Sequence, residues 1–201
     1  NTLSFADFSS NVTFNLSKTT TQTMAGGSVR ATSIENIVGG TGSDRLTGNG
    51  SANIMSSGDG NDRMFAGSGD DFLAGGLGND LYDGGRGLDT ASFQFSSVAV
   101  SVSLGRSSAQ NTGEGTDTFT SIENIFGSAF DDVLIGSGAV NRIDGGRGND
   151  YLAGYVGVRS GDGDTLIGGS GNDTFAVRGI AIDRASFIVD FRKGQDKLDV
   201  S

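Results

Sequence analysis

A repeat of nine residues constrains the fold of this chain more than any other feature of its sequence. Six consecutive units occupy residues 39–92, and five more begin at Gly127, Gly136, Gly145, Gly154 and Gly168. Glycine dominates positions one, two and four of a unit, and an apolar side chain occupies position eight in every one. A unit this short cannot bury a core alone, so the units are expected to stack as in a solenoid.

The positions of the repeat predict a sharp turn followed by a short strand. Glycine reaches the positive φ angles of such a turn at little cost, so it suits the first four positions. Positions seven to nine are predicted to form a strand of about three residues, whose middle side chain points inward. The turn glycines, whose carbonyl groups we expect near a common point, are Gly40, Gly42, Gly58, Gly60, Gly67, Gly69, Gly76, Gly78, Gly85, Gly87, Gly146, Gly148, Gly169 and Gly171.

Position six supplies a carboxylate or amide oxygen in all eleven units. Stacked units bring these side chains together, and like charges at close range oppose a compact fold. A divalent cation removes this repulsion, and Ca²⁺ takes six to eight carboxylate and carbonyl oxygens at roughly 2.3–2.6 Å. Mg²⁺ prefers a tighter octahedron that keeps its waters, and zinc sites need the His or Cys that the chain lacks. The predicted metal ligands are Asp44, Asn53, Asp62, Asp71, Asp80, Asp89, Asp132, Asn141, Asp150, Asp164 and Asp173.

The chain also repeats on a longer scale of about 88 residues. The segment SIENI at 33–37 returns unchanged at 121–125, and the alternating apolar residues at 12–16 return at 100–104. We therefore expect a first unit at 1–92, with a strand-rich segment at 1–38 and a calcium roll at 39–92. A second unit at 93–176 has its strand-rich segment at 93–126 and its roll at 127–176, and 177–201 forms a C-terminal cap. The alternating strands at 12–16 and 98–104 are each predicted to cover one face of a roll.

These units resemble the Gly-Gly-x-Gly-x-Asp-x-apolar-x nonapeptides of the repeats-in-toxin (RTX), haemolysin-type calcium-binding family. The resemblance implies an all-β fold, a parallel β-roll or right-handed β-solenoid, here with two calcium-loaded rolls in tandem and flanking strands. It also implies that each Ca²⁺ lies between the loops of units n and n+2, which gives up to about seven ions. The implied pairs are Asp44 with Asp62, Asn53 with Asp71, Asp62 with Asp80, Asp71 with Asp89, Asp132 with Asp150, Asn141 with Asp164, and Asp150 with Asp173.

Several units depart from the pattern of the family. Asn53 and Asn141 offer a neutral amide oxygen, so a role in the turn and a role as ligands both stay open. Phe130 replaces the fourth-position glycine, and about five extra residues precede Asp164. The C-terminal residues 188–201 are similar to the segment that closes the RTX regions of serralysin-type proteases and mannuronan C-5-epimerase R-modules.

Composition excludes several classes of function. A net charge of −10 argues against nucleic acid or an anionic membrane as a partner, and there is no apolar run long enough to span a bilayer. The lack of His and Cys excludes Ser-His-Asp triads, Cys-His pairs and the HExxH zinc site. We therefore predict a non-catalytic fragment with no catalytic or organic-cofactor site, whether or not its parent protein is a secreted enzyme.

Two functions fit these features. The first is an RTX module that folds on Ca²⁺ outside a bacterial cell and serves stability and type I secretion of a larger extracellular protein. The second is a polysaccharide-binding or adhesive module of an extracellular enzyme or surface adhesin. An anionic polysaccharide would need cations such as Arg86 and Arg147, or an aromatic platform such as Tyr151 and Tyr155. The opening residues 1–5 match 89–93 and lack an initiator Met, which predicts that the chain begins inside a larger protein.

Overall fold

The computed structural model describes residues 1–24, 27–154, 163–177 and 187–200. Within these ranges the secondary structure consists of short strands, and no helix there could cross a membrane. Contacts divide the chain into two compact units. The first comprises Asn1–Ala91 with Glu114–Ile122, and the second comprises Ser92–Gly113 with Glu123–Ser201.

The described strands follow one another at short intervals along the chain. The first eleven are β1 (Thr2–Ser4), β2 (Thr13–Asn15), β3 (Gln22–Met24), β4 (Gly27–Val29), β5 (Asn36–Val38), β6 (Arg45–Thr47), β7 (Ile54–Ser56), β8 (Arg63–Ser68), β9 (Phe72–Ala74), β10 (Leu81–Arg86) and β11 (Thr90–Ser92). The others are β12 (Ser101–Ser103), β13 (Gln110–Asn111), β14 (Thr116–Thr120), β15 (Asn124–Phe126), β16 (Val133–Ile135), β17 (Arg142–Asp144), β18 (Tyr151–Ala153), β19 (Thr165–Ile167), β20 (Thr174–Ala176), β21 (Phe187–Ile188) and β22 (Lys197–Asp199).

Successive repeats alternate between two parallel sheets in the first unit. One sheet has the order β1-β5-β7-β9-β11, and the other has the order β2-β6-β8-β10-β14. Strands that pair within a sheet therefore come from every second repeat, as in Ile54 with Phe72 and Arg45 with Arg63. This is the geometry of a roll, in which the chain crosses from one sheet to the other through each glycine-rich turn.

The second unit has the same construction. Its sheets have the orders β15-β17-β19-β21 and β12-β16-β18-β20-β22, and the pairing is parallel throughout. The prediction of an all-β parallel β-roll is confirmed. Among the described residues the antiparallel pairing is that of the hairpin β3–β4.

The core of each unit is the file of position-eight side chains. All of them are fully buried, and neighbours within a sheet pack side by side because their strands pair in register. Burying a Leu, Met or Phe side chain contributes roughly 1.5–3 kcal/mol. The inward direction predicted for position eight is confirmed at Leu46, Met55, Met64, Leu73, Tyr82, Ala91, Leu134, Ile143, Leu152, Leu166 and Phe175.

The strands predicted to cover one face of each roll have a different place. β2 pairs with β6 and β12 pairs with β16, so each is the first strand of a parallel sheet. Phe14 lies beside Leu46 and so extends the file of position-eight side chains. The prediction was wrong because an alternating pattern identifies the buried side of a strand but not the strand next to it.

The duplicated SIENI segment also forms one layer of each roll, a turn with the strand that follows it, which we call a rung. Ile37 and Ile125 are buried in β5 and β15, the strands that end the two copies. Ser33 and Ser121 precede these strands with φ angles of 57° and 49°, an unusual conformation for a residue with a side chain. The same backbone conformation at both positions follows the identity of the two sequences.

Candidate calcium-binding loops

The position-six side chains lie inside the stacks of turns. None of the eleven is more than 2% exposed, although nine of them are aspartates. A buried carboxylate is costly unless hydrogen bonds or an opposite charge compensate for the lost water. The loops therefore bury carboxylates, at a cost in free energy, at the position that is acidic in most units.

The structure brings together the two residues of each of the seven pairs that the family resemblance implies. In each pair the backbone N–H of the earlier position-six residue donates to Oδ1 of the later one, at 2.7–3.0 Å. Asp44 N, for example, donates to Asp62 Oδ1 at 2.7 Å, and Asp62 N donates to Asp80 Oδ1 at 2.8 Å. Each of these hydrogen bonds thus connects a loop to the loop two units further along the chain, through one carboxylate oxygen.

The second carboxylate oxygen separates the loops into two kinds. Oδ2 of Asp62, Asp71, Asp80 and Asp150 is buried without a hydrogen-bond partner. By contrast, Asp44 Oδ2 accepts the N–H of Gly40 at 2.9 Å, within its own turn. We call loops of the first kind open and loops like that of Asp44 closed.

The position-two residue accounts for this difference. In the open loops it is a glycine with positive φ, such as 95° at Gly58 and 93° at Gly146. In the closed loops Gly40 or Ser128 stands there without positive φ, and its N–H points to the position-six oxygen of its own unit. The open conformation turns that N–H away and leaves a carboxylate oxygen available to a cation.

Backbone carbonyl groups supply further oxygens between the loops. A Cβ built on Gly76 would overlap the carbonyl oxygen of Gly58, and one built on Gly78 would overlap that of Gly60. Turns two units apart therefore approach so closely that only glycine fits. Stacked carbonyl groups and carboxylates together make a donor set of hard oxygens, which is the set that Ca²⁺ prefers.

Burial raises the pKa values of the carboxyl groups in the open loops. The pKa rises to about 6 for Asp71, about 7 for Asp150 and about 8 for Asp80. Desolvation is the largest cause, and neighbouring carboxylates add to it, whereas the backbone hydrogen bonds lower these pKa values. The metal-free roll thus resists ionisation at the positions where a divalent cation would favour it.

Asn53 and Asn141 occupy position six where each roll meets its SIENI rung. The side-chain N–H₂ group of Asn53 donates to the carbonyl oxygen of Glu35 at 2.6 Å, and that of Asn141 donates to Glu123 at 2.7 Å. Their Oδ1 atoms accept backbone N–H groups within their own turns. An aspartate could not donate in this way, so the two amides serve as caps between different kinds of rung.

The irregular units keep the backbone pattern of the regular ones. Phe130 is 44% exposed, and a Cβ on Gly148 would still meet its carbonyl oxygen, as in a loop with glycine at position four. Asp164 Oδ1 accepts the N–H of Asn141 at 2.9 Å despite the extra residues before it. Tyr155, considered above as part of a sugar platform, lies outside the described residues.

The sequence interpretation missed a further repeat at 112–120. These residues read TGEGTDTFT, with glycine at positions two and four, Asp117 at position six and Phe119 at position eight. Asp117 is fully buried and its Oδ1 accepts the N–H of Asp80 at 2.8 Å. The spacing from Gly113 to Phe119 could have revealed it, although it is out of phase with its neighbours.

Two carboxylates of the C-terminal segment also join the second roll. Asp196 Oδ1 accepts the N–H of Asp173 at 3.1 Å, which is the position-six contact. Asp190 accepts the N–H groups of Gly168 and Gly169 at 2.9 and 2.7 Å. The segment therefore contributes acidic groups to the last turn as well as the end strands β21 and β22.

Fold and loops together define a calcium-binding β-roll module. The family model for the RTX calcium-binding nonapeptide repeat matches residues 32–64, 56–91, 117–152 and 160–176, which together make up more than half of the chain. The chain therefore belongs to the family of proteins built from RTX calcium-binding nonapeptide repeats. This repeat is a binding module rather than a catalytic one. No curated protein matches the chain.

Proposed function

We propose that this chain is a calcium-triggered folding module of a larger extracellular protein exported by type I secretion. The observation that carries the proposal is the stack of buried aspartates whose second carboxylate oxygen has no partner, at Asp62, Asp71, Asp80 and Asp150. Proteins built from this repeat are typically secreted by bacteria, which fits a module that meets calcium after export.

The physical basis is a switch between two calcium concentrations. Without the ion, buried carboxylates oppose folding, because each must be ionised at a cost or hold a proton. Extracellular calcium modules have dissociation constants of about 10⁻⁴–10⁻³ M, so they stay empty in the cytosol and fill outside. Ions that bind only the folded state stabilise it further with each occupied site.

Up to about seven ions would lie between the paired loops, with the position-six side chains and the turn carbonyl groups as ligands. The pairs that begin at Asn53 and Asn141 are the weakest candidates, because both amides already bond the backbone of the SIENI rung. Residues 177–201 would cap the second roll, since Leu198 pairs with Phe175 at its last strand. The likeness of this segment to serralysin and epimerase tails is part of the same proposal.

A chelator titration followed by circular dichroism tests the proposal. The β signal of the calcium-loaded chain should fall as the ion is removed and return when Ca²⁺ is restored, while equimolar Mg²⁺ should fail to restore it. Survival of the full β signal after complete removal of calcium would contradict the proposal.

A groove in the second unit favours the polysaccharide-binding module as a second candidate. It has a volume of about 510 Å³ and is lined by the half-buried ring of Tyr151, the exposed Arg106 and polar groups of Ser101 and Asn111. An aromatic face beside a cation suits a sugar that carries a carboxylate. Binding of an anionic polysaccharide at saturating calcium, lost on Tyr151→Ala and on Arg106→Ala but kept on Arg86→Ala, would support it; equal binding by all three variants would contradict it.

A further inference from the structure

The rung formed by residues 112–120 stands apart from the uninterrupted array of the first unit. Regular position-six partners in that unit are separated by 18 residues, whereas Asp80 and Asp117 are separated by 37. Even so, β14 pairs with β10 in parallel, and Phe119 lies beside Tyr82 as the next position-eight side chain. The chain leaves the first roll and later returns one more rung to it.

The contacts between this rung and its neighbour reproduce those of a regular pair. Gly78 N donates to the carbonyl oxygen of Glu114 at 3.0 Å, as Gly60 N donates to that of Leu77 at 2.7 Å. Thr116 N donates to Asn79 Oδ1 at 2.8 Å, and Asn79 N in turn donates to Asn61 Oδ1 at 2.8 Å.

The carbonyl spacing is reproduced as well. A Cβ on Gly115 would overlap the carbonyl oxygen of Gly78, in the same way that a Cβ on Gly78 would overlap that of Gly60. The carbonyl oxygens that lie between the loops of Asp62 and Asp80 therefore have counterparts between the loops of Asp80 and Asp117.

A buried oxygen without a partner lies at this junction. Asp80 is 2% exposed, and its Oδ2 has no hydrogen-bond partner. Burial raises the pKa of Asp80 to about 8, and the neighbouring Asp117, Asp62 and Glu114 contribute to this rise. A surface groove of about 380 Å³ beside these loops is lined in part by Asn79, Asp80 and Thr116.

We propose that Asp80 and Asp117 form an additional calcium site, which joins residues 114–117 to the first roll across 37 residues of chain. The site rests on the proposed calcium-dependent function but connects two separate repeat matches, since Asp80 lies in the match at 56–91 and Asp117 is the first residue of the match at 117–152. The ion would fasten the returning rung, so the folding of 112–122 should depend on calcium.

The experiment compares three single substitutions in the full chain by the number of calcium ions bound at saturation. Asp117→Asn removes the charge but keeps an oxygen that can accept the N–H of Asp80, so it should bind one ion fewer than the wild type. Asp71→Asn makes the same change in an uninterrupted open loop and should also lose an ion. Asp7→Asn, at an exposed residue outside the repeats, should leave the count unchanged.

The outcomes distinguish this site from the general function. A full ion count for Asp117→Asn together with a reduced count for Asp71→Asn would overturn the additional site and leave the proposed function standing. Absence of calcium binding in every protein would overturn both.

If the Asp117→Asn variant does not fold, hydrogen exchange in the wild type tests the site instead. Amides at 112–122 should become protected when calcium is added, together with those of the loops at 57–80. Protection of those loops without any change at 112–122 would also overturn the additional site.

Discussion

At the scale of the residue, position six has two roles, which are filled by aspartate and asparagine side chains of almost the same shape. Asp62 accepts a backbone N–H with one oxygen and keeps the other for a cation, because its loop is open. Asn53 uses its N–H₂ group to satisfy the carbonyl of Glu35, and Asn36 Oδ1 then accepts the N–H of Ile54. One atom, nitrogen in place of oxygen, separates a cap from a candidate ligand.

Asn53→Asp should therefore destabilise the first unit although it adds a carboxylate to the repeat. The Glu35 carbonyl would lose its donor and face a second acceptor, which costs about 1–3 kcal/mol for a buried group. The urea midpoint at saturating calcium measures the effect.

Asn61→Asp is the matched control for this substitution. Asn61 Oδ1 accepts the N–H of Asn79, and a carboxylate keeps that bond, so stability should stay within about 0.5 kcal/mol of the wild type. If Asn53→Asp matched or exceeded the wild-type midpoint, position 53 would be acting as a metal ligand and not as a cap.

At the scale of the element, the rung depends on how closely two turns approach each other. Gly78 has a φ of 140° and lies against the carbonyl of Gly60, whereas Gly50 has open space where a Cβ would be. Gly78 occupies position four of its unit, where the repeat has glycine, whereas Gly50 occupies position three, which varies between units, and only Gly78 is required by the contact between rungs.

Gly78→Ala should weaken both the roll and its calcium affinity, while Gly50→Ala should change little. The positive φ alone costs about 1–3 kcal/mol for a residue with a side chain, and the methyl group would also push the loops of Asp62 and Asp80 apart. Thermal midpoints and calcium titrations of the two variants provide the measurement. Equal behaviour of the two alanine variants would contradict the close approach of the turns.

The sequence predicted the regular rungs and missed those whose neighbours are distant in sequence. Position eight of every unit is buried as predicted, because the period of nine fixes which side chain of each strand points inward. The period of nine did not predict the rung at 112–120, because Asp117 and its partner Asp80 are 37 residues apart and not 18. The role of Asn53 stayed open because the sequence does not show that Glu35 lies next to it.

At the scale of the whole molecule, acidity and calcium act on the same carboxyl groups. Aspartate has an ordinary pKa of 3.8, and burial raises the values for Asp71, Asp150 and Asp80 to about 6, 7 and 8. The metal-free folded chain therefore binds protons more tightly than the unfolded chain does between about pH 4 and 8. Stability from these groups is fully present below that window and is lost as the pH rises through it.

The metal-free chain should accordingly gain β structure when the pH falls from 8 to 5. Calcium should reverse the trend, since protons compete with the ion for the same oxygens and weaken its binding at pH 5. Circular dichroism across this range, with chelator and with saturating calcium, measures both slopes. Asp80→Asn should flatten the metal-free profile above pH 7, and a metal-free chain that became more stable from pH 5 to 8 would contradict the assignment.

The alternation of repeats between two sheets imposes a rule of parity on the length of the molecule. Loss of one nonapeptide would send every later strand of that unit to the opposite sheet, whereas loss of two would return each strand to its own. The steps of 37 residues from Asp80 to Asp117 and 23 from Asp150 to Asp173 both bring the chain back to the sheet it left. The number of residues between paired rungs can thus differ from 18, and a gain or loss of nonapeptides in pairs keeps every later strand in its own sheet.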